Sequence, residues 1–149
     1  MGHLECAQLL VKHGADVNMA SEYGRTPLMI ASQEGQGECV EFLLENNAQV
    51  NDVSNDGWTA LHYGALRGHG DIVRMLISFG ADIDMVNNSG YNALTFASWE
   101  DHANVCSDLI KEGIYVNQVS KNGNTALILA AMYNRVDGVN ILLKGKNQK

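Results

Sequence analysis

Residues 57–62 read Gly-Trp-Thr-Ala-Leu-His, and residues 24–29 read Gly-Arg-Thr-Pro-Leu-Met. The two segments begin 33 residues apart and share Gly, Thr and Leu at the same three positions. The spacing continues along the chain, because Gly90 and Gly123 extend the glycine series at the same step. Self-similarity at a fixed period of this length is typical of proteins built from stacked structural repeats.

One unit of this repeat reads as a turn followed by two short helices. Residues 55–57, Asn-Asp-Gly, predict the turn, since Asn and Asp tolerate left-handed backbone and Gly adopts it freely. Thr59 is a good N-cap for a first helix, which Gly68 ends, and apolar residues at helical spacing predict a second helix over about 69–79. Helices of about ten residues are marginal alone in water, so the units must stack to bury their apolar faces.

The two quoted segments resemble the first-helix motif of the ankyrin repeat. Residues 9–18, Leu-Leu-Val-Lys-His-Gly-Ala-Asp-Val-Asn, resemble the end of its second helix. The resemblance covers nearly the whole chain and implies one all-α domain, a solenoid of stacked helix-turn-helix pairs joined by β-hairpin-like loops. The expected units are a half repeat at 1–20 and repeats at 21–53, 54–86, 87–119 and 120–149.

Several departures from the repeat pattern carry expectations of their own. Asp101 and Asn134 stand where earlier units have a helix-ending glycine, and both residue types tolerate the left-handed conformation. Gly64 and Gly138 lie inside predicted helices at a cost of about 1 kcal/mol each relative to Ala, so Gly138 makes the last repeat the most prone to fray. The leading half repeat supplies only a second helix, which predicts either a fragment of a longer array or a cap, with Leu10 short of cover.

Composition and charge narrow the classes of partner and location. The 149-residue chain carries a net charge of −7 with 10 Lys and Arg, so it lacks the basic surface that nucleic acid requires. Its apolar stretches are far shorter than the roughly 20 residues of a membrane span. Three cysteines without Cys-x-x-Cys spacing suggest a reducing compartment. We expect no nucleic-acid partner, no membrane insertion and a cytoplasmic location, with the nucleus, or a host cytosol for a chain from an intracellular microbe, as alternatives.

The residues that could carry chemistry do not form a catalytic or metal-binding pattern. His3, His69 and His102 recur once per unit in the predicted inter-helix loop, about 10 Å apart between stacked helix pairs, which is too far to share a metal. The resemblance implies that His62 braces the turn by hydrogen bonds. No glycine is followed by the Lys-Ser or Lys-Thr pair of a phosphate-binding loop. We therefore predict no enzyme, no cofactor and no metal site.

Two sets of side chains are assigned to packing. The cysteines are expected to be small, buried hydrophobic residues: Cys6, Cys39 and Cys106. Five aromatic residues are expected in the core or between units: Phe42, Tyr63, Phe79, Phe96 and Tyr115.

The surface that the repeat leaves free predicts a binding site. The resemblance places the turn tips and the ends of the first helices along a concave groove. Large rings concentrate there, and Trp, Tyr and Arg dominate interface hot spots. The candidate partner-binding residues are Tyr23, Arg25, Asp56, Trp58, Leu66, Arg67, Tyr91, Trp99, Glu100, Asn124, Met132 and Tyr133. For the four large rings at Trp58, Tyr91, Trp99 and Tyr133, packing between repeats is the alternative.

Together these observations predict a non-catalytic protein–protein interaction module that binds a protein or peptide partner in its groove. The mixed charge near the groove and the acidic remainder of the surface weakly favour a partner with a basic patch. The alternatives are a targeting or scaffold fragment of a larger multidomain protein, and a structural spacer in a longer repeat array. A spacer would carry polar residues in place of Trp58, Trp99 and Tyr133. We expect a monomer, unless the incomplete N-terminal end self-associates.

Overall fold

The computed structural model of the chain describes residues 2–145, and the side chains from residue 4 onward. These residues form nine α-helices and no β-strand. The helices are α1 (Gly2–Lys12), α2 (Pro27–Gln33), α3 (Gly37–Glu45), α4 (Ala60–Arg67), α5 (Gly70–Ser78), α6 (Ala93–Trp99), α7 (Ala103–Lys111), α8 (Ala126–Met132) and α9 (Val136–Gly145). The predicted all-α architecture is confirmed, and His69 and Phe79 are the residues that flank α5.

The helices form two layers. Helices α2, α4, α6 and α8 pack side by side in one layer, and α1, α3, α5, α7 and α9 pack in the other. Within each of the four predicted repeats, the first helix also packs on the second. The core lies between the layers, where a row of leucines at the 33-residue spacing is at most 5% exposed: Leu43, Leu76, Leu109 and Leu142.

Each first helix begins at a polar cap that the sequence predicts. The side chain of Thr59 accepts a hydrogen bond from the His62 amide, and Asn92 accepts one from the Thr95 amide in the same way. Each cap satisfies one amide that the helix leaves without a partner. The left-handed residues after the first helices are also confirmed, because φ is +63° at Asp101 and +55° at Asn134.

The turn tips interlock from one repeat to the next. The amide of Ser54 donates to the carbonyl of Trp58 at 2.9 Å, which closes the tip of the second repeat like a short hairpin. The amide of Asn55 donates to the carbonyl of Tyr23 in the repeat before it, at 3.0 Å. Gly57 has a φ of +78°, and a Cβ atom there would lie 2.9 Å from the backbone nitrogen of Asn88. Glycine is therefore required where the tips approach one another.

Burial at the first helix differs from part of the prediction. Leu10 is 61% exposed, as expected for a helix short of cover. Cys6 is exposed, so its assignment to the core is wrong, whereas Cys39 and Cys106 are buried. The reason is that α1 packs on α3 without a first helix of its own unit beside it. Residue 3 also lies within α1 rather than in an inter-helix loop.

Two aromatic residues assigned to packing lie at the surface. Phe79 is 46% exposed and Tyr115 is 47% exposed, so neither belongs to the core. Phe79 follows the last residue of α5, where the chain leaves the helix. Phe96 is buried at 4% exposure, as predicted, and Phe42 and Tyr63 are partly buried.

Candidate partner-binding groove

The turn tip of one repeat rests on the first helix of the next. The guanidinium carbon of Arg25 lies 4.9 Å from the centre of the Tyr63 ring. One repeat later, the Trp58 ring stacks on Phe96 with centroids 4.2 Å apart. The two contacts join equivalent positions of successive repeats, so the repeat geometry itself directs this tip residue onto its neighbour.

The same tip residue also reaches the end of its own first helix. Arg25 donates a hydrogen bond to the side-chain oxygen of Gln33 at the end of α2. In the third repeat, Tyr91 meets Trp99 at the end of α6, with ring centroids 6.5 Å apart and planes at 70°. The tip and the helix end therefore form one surface in each repeat.

Five rings join into a continuous series across three repeats, which we call the aromatic groove: Trp58, Phe96, Tyr91, Trp99 and Tyr133. Phe96 lies 5.9 Å from Tyr91 in an edge-on arrangement, and Trp99 stacks on Tyr133 at 5.4 Å. These separations are those at which aromatic pairs attract one another. Phe96 is the buried base of the series, while Tyr133 is 47% exposed.

A recess of about 300 Å³ opens between the second and third turn tips. Its apolar wall consists of Trp58, Tyr91, Phe96 and Trp99, and its polar wall of Asp56, Asn87, Asn88 and Ser89. The amide side chains are committed to the fold, since the Asn87 side-chain oxygen accepts from the amides of Ser89 and Tyr91. Of the described residues that line the recess, Asp56 is the one that carries a charge.

The structure brings part of the predicted site together. Trp58, Tyr91, Trp99 and Tyr133 belong to the aromatic groove, Asp56 lines its recess, and Arg25 joins it through Tyr63, whose ring lies 5.0 Å from that of Trp58. The remaining predicted residues lie outside the ring series: Tyr23, Leu66, Arg67, Glu100, Asn124 and Met132. Tyr23 and Met132 are about two-thirds exposed, and Arg67 and Glu100 are exposed at the ends of α4 and α6.

Phe96 in the groove and Tyr63 beside it are residues that the sequence prediction assigned to packing alone. They occupy the same position of successive repeats, and the ring of each contacts the tip residue of the preceding repeat. The 33-residue register contains the signal that relates them. It does not show that each of them contacts the turn tip of the preceding repeat, because that contact depends on how the repeats stack.

Three histidines connect separate segments of the chain by hydrogen bonds: His62, His69 and His102. The ring nitrogen Nδ1 of His62 accepts from the Thr59 amide at 3.0 Å, so Nε2 carries the proton and donates to the carbonyl of Met85. Burial lowers the pKa of His62 to about 4, which keeps the ring neutral. His69 and His102 each place Nε2 within 3.1 Å of a carbonyl in the preceding repeat. Arg135 does the same in the last repeat, through the carbonyl of Trp99 at 2.7 Å.

The described residues offer no assembled metal or nucleophile site. No group of three or more His, Cys, Asp or Glu side chains lies close enough together in residues 4–145 to hold a metal ion. Burial raises the pKa of the Cys106 thiol to about 11, which opposes formation of the reactive thiolate. Within the same part of the chain, none of the helices is long and apolar enough to cross a membrane.

Comparison with known proteins agrees with this architecture. The family described as "Ankyrin repeats (3 copies)" matches residues 1–54, 48–120 and 79–149. The chain therefore belongs to the ankyrin-repeat family and is a protein–protein interaction module. It is also similar to protein phosphatase 1 regulatory subunit 27 of Homo sapiens and of Mus musculus, at 56% identity over 34 residues in each case. That match covers 23% of this chain and 22% of each relative, so it spans about a fifth of the length of the curated relatives.

Proposed function

We propose that the chain binds a protein or peptide partner on its aromatic groove and catalyses no reaction there. The observation that supports this most strongly is the continuity of the rings. They extend from Trp58 to Tyr133 across three repeats, over the buried ring of Phe96. A contiguous apolar surface of this kind is typical of interaction sites.

The exposure of Tyr133 favours binding over packing at this end of the groove. Tyr133 remains 47% exposed although it stacks on Trp99, so much of its apolar area is still open to a partner. Covering that area contributes about 25 cal/mol for each Å² removed from water. Trp58 differs from this pair, because its stacking on buried Phe96 gives it a role in packing as well.

The similarity to these relatives supports protein binding by the repeats, but it does not identify the partner. Their printed name assigns them to the regulation of a phosphatase, but the similar segment has the length of about one repeat. We carry over the mode of interaction, which is recognition of a protein by stacked repeats. The buried free thiols of Cys39 and Cys106 fit a reducing compartment, and we propose the cytoplasm as the location.

Affinity capture with matched variants tests the proposal. Wild-type protein is compared with a Trp99→Ala, Tyr133→Ala variant, and with Phe79→Ala as a control whose ring is equally exposed outside the groove. Captured proteins are identified by mass spectrometry, and circular dichroism checks that each sample is folded. We expect a partner that wild type and Phe79→Ala both retain and that the double variant loses. Identical profiles from three folded samples would contradict the proposal and favour a structural spacer.

A further inference from the structure

We infer that the recess between the second and third turn tips receives the guanidinium of an arginine side chain from the partner. This inference rests on the proposed function and names the chemistry that the groove recognises. It combines three features of the recess: a lining of buried and partly buried aromatic rings, one acidic residue, and a size suited to a single side chain.

The ring wall suits a planar cation. Tyr91 and Trp99 meet at 70°, so their faces do not close on each other and both border the recess. The negative face of an aromatic ring attracts a cation, and a guanidinium can also stack on it because it is flat and weakly hydrated. An ammonium attracts through its charge alone and loses more hydration on entry.

The protein already contains a guanidinium over an aromatic ring in the preceding repeat, at the position that Trp58 occupies in the second repeat. Arg25 lies over the Tyr63 ring and donates a hydrogen bond to Gln33. A guanidinium on this face therefore has a ring beneath it and an oxygen acceptor at its edge. The recess offers a partner arginine the same two elements, with Asp56 as the acceptor. The acceptor is charged there, which strengthens its hydrogen bonds.

Charge complementarity points to the same ligand. Asp56 is exposed at the recess, and its own backbone carbonyl is the atom that accepts from the Asn88 amide. The next tip carries the exposed cation Lys121, whose amide donates to the Ser89 carbonyl, so the local attraction for a cation comes from Asp56. The whole chain has a net charge of −7, so a cationic partner segment is attracted overall.

The volume limits the ligand to a side chain. The recess has a volume of about 300 Å³ and is open to solvent. It admits one long side chain with a few waters, whereas a helix of the partner would have to lie across its mouth. The partner segment is thus expected to present its arginine from an extended or loop conformation.

Short peptides test the recess directly. The probes are acetyl-Gly-Gly-Xaa-Gly-Gly-amide with Xaa as arginine, lysine or citrulline, which is the neutral isostere of arginine. The chain has two tryptophans, so the indole N–H signals of Trp58 and Trp99 are two resolved reporters in nitrogen–proton NMR spectra. We expect the arginine peptide to shift both signals saturably, and the citrulline peptide to bind at least about fivefold more weakly.

A charge variant isolates the carboxylate. Asp56→Asn is compatible with the turn, because Asn122 occupies the equivalent position of the last repeat. It should weaken binding of the arginine peptide about threefold, as expected for loss of an exposed ion pair. Glu41→Gln is the matched control, since it removes one exposed negative charge from α3, away from the recess. It should leave the affinity unchanged.

Three results would overturn the inference. They are the absence of a saturable shift at the two indoles, equal binding of the arginine and citrulline peptides, or binding of the lysine peptide as tight as that of arginine. None of them bears on partner capture by the aromatic groove. If wild type retains a partner that the Trp99→Ala, Tyr133→Ala variant loses, the proposed function stands without the arginine recess.

Discussion

Trp58 of the second repeat stacks on Phe96 of the third, with ring centroids 4.2 Å apart and planes inclined by 29°. Phe96 is 4% exposed and belongs to the interior, whereas Trp58 is partly buried and borders the recess. Trp58 therefore both lines the groove and contributes to packing between the second and third repeats. Substitutions in the groove separate into those that affect stability and those that leave it nearly intact.

Trp58→Ala should cost about 2 kcal/mol of unfolding free energy, because it removes a large ring from three aromatic neighbours and opens a gap over Phe96. Tyr133→Ala should cost less than about 1 kcal/mol, since half of that side chain already faces solvent. Urea denaturation followed by circular dichroism measures both. Equal losses in the two variants would show that Trp58 does not join the repeats.

The sequence predicts the parts of this fold that depend on a position within one repeat. Thr59 as a cap and Leu76 as a core residue follow from the period alone, and the structure places both as expected. The prediction that Cys6 is buried is wrong, because burial at that position depends on which neighbouring helix is present in the stack. The contact between Trp58 and Phe96 could not be read from either repeat, since it depends on the angle at which the repeats pack.

Gly68→Ala should destabilise the protein more than Gly80→Ala, although both residues have left-handed backbone, with φ of +73° and +89°. A Cβ atom at Gly68 would lie 2.5 Å from the ring nitrogen Nδ1 of His102, whose other nitrogen is bonded to the Leu66 carbonyl. At Gly80 the same atom would meet nothing within 4 Å. We expect about 1 kcal/mol for Gly80→Ala from the backbone alone, and about 3 kcal/mol for Gly68→Ala.

Chemical denaturation of the two glycine variants decides the point. Both variants carry the backbone penalty, so the difference between them reports the clash with His102. In a His102→Ala background, Gly68→Ala should cost less than it does in wild type if the ring is the obstacle. Equal costs for Gly68→Ala and Gly80→Ala would show that the His102 ring moves aside freely.

The free energy of unfolding should decrease as the pH is lowered from about 6.5 to about 4, because of His62. Burial lowers the pKa of His62 to about 4 in the folded protein, against 6.5 for an unperturbed histidine. Between these values the unfolded chain binds a proton that the folded protein does not, so protonation favours unfolding. The contribution of neutral His62 is complete above pH 6.5 and decreases by about 3 kcal/mol as the pH falls to 4.

His62→Met separates this effect from that of the carboxylates, because Met29 occupies the equivalent position of the first repeat. Denaturation curves are measured for both proteins at several pH values. The stability difference between wild type and His62→Met should shrink as the pH falls through this range. A difference that does not change with pH would contradict a strongly lowered pKa at His62.

Gly64→Ala should stabilise the protein by about 1 kcal/mol, because Ala is the better helix former and the site has room. A Cβ atom at Gly64 in α4 would lie 3.5 Å from a methyl group of Val73, which is an ordinary contact. At Gly138 in α9 it would lie 3.3 Å from the Asp101 carboxylate and 3.4 Å from the Ser98 carbonyl. The Gly138 amide also donates to Asp101 at 2.9 Å, so the helix cannot move away without weakening this bond to the preceding repeat.

The two glycines, which the sequence predicts to cost the same relative to Ala, therefore differ in the structure. Gly138→Ala should gain little or nothing, because the helix propensity that Ala adds is offset by pushing two oxygen atoms aside. Thermal unfolding of Gly138→Ala, of Asp101→Ala and of the double variant measures the contribution of the contact between the added methyl group and the Asp101 carboxylate. Removing the carboxylate should lower the cost of the added methyl group. A full gain of about 1 kcal/mol from Gly138→Ala alone would mean that α9 shifts outward freely and that Asp101 does not hold the last repeat in place.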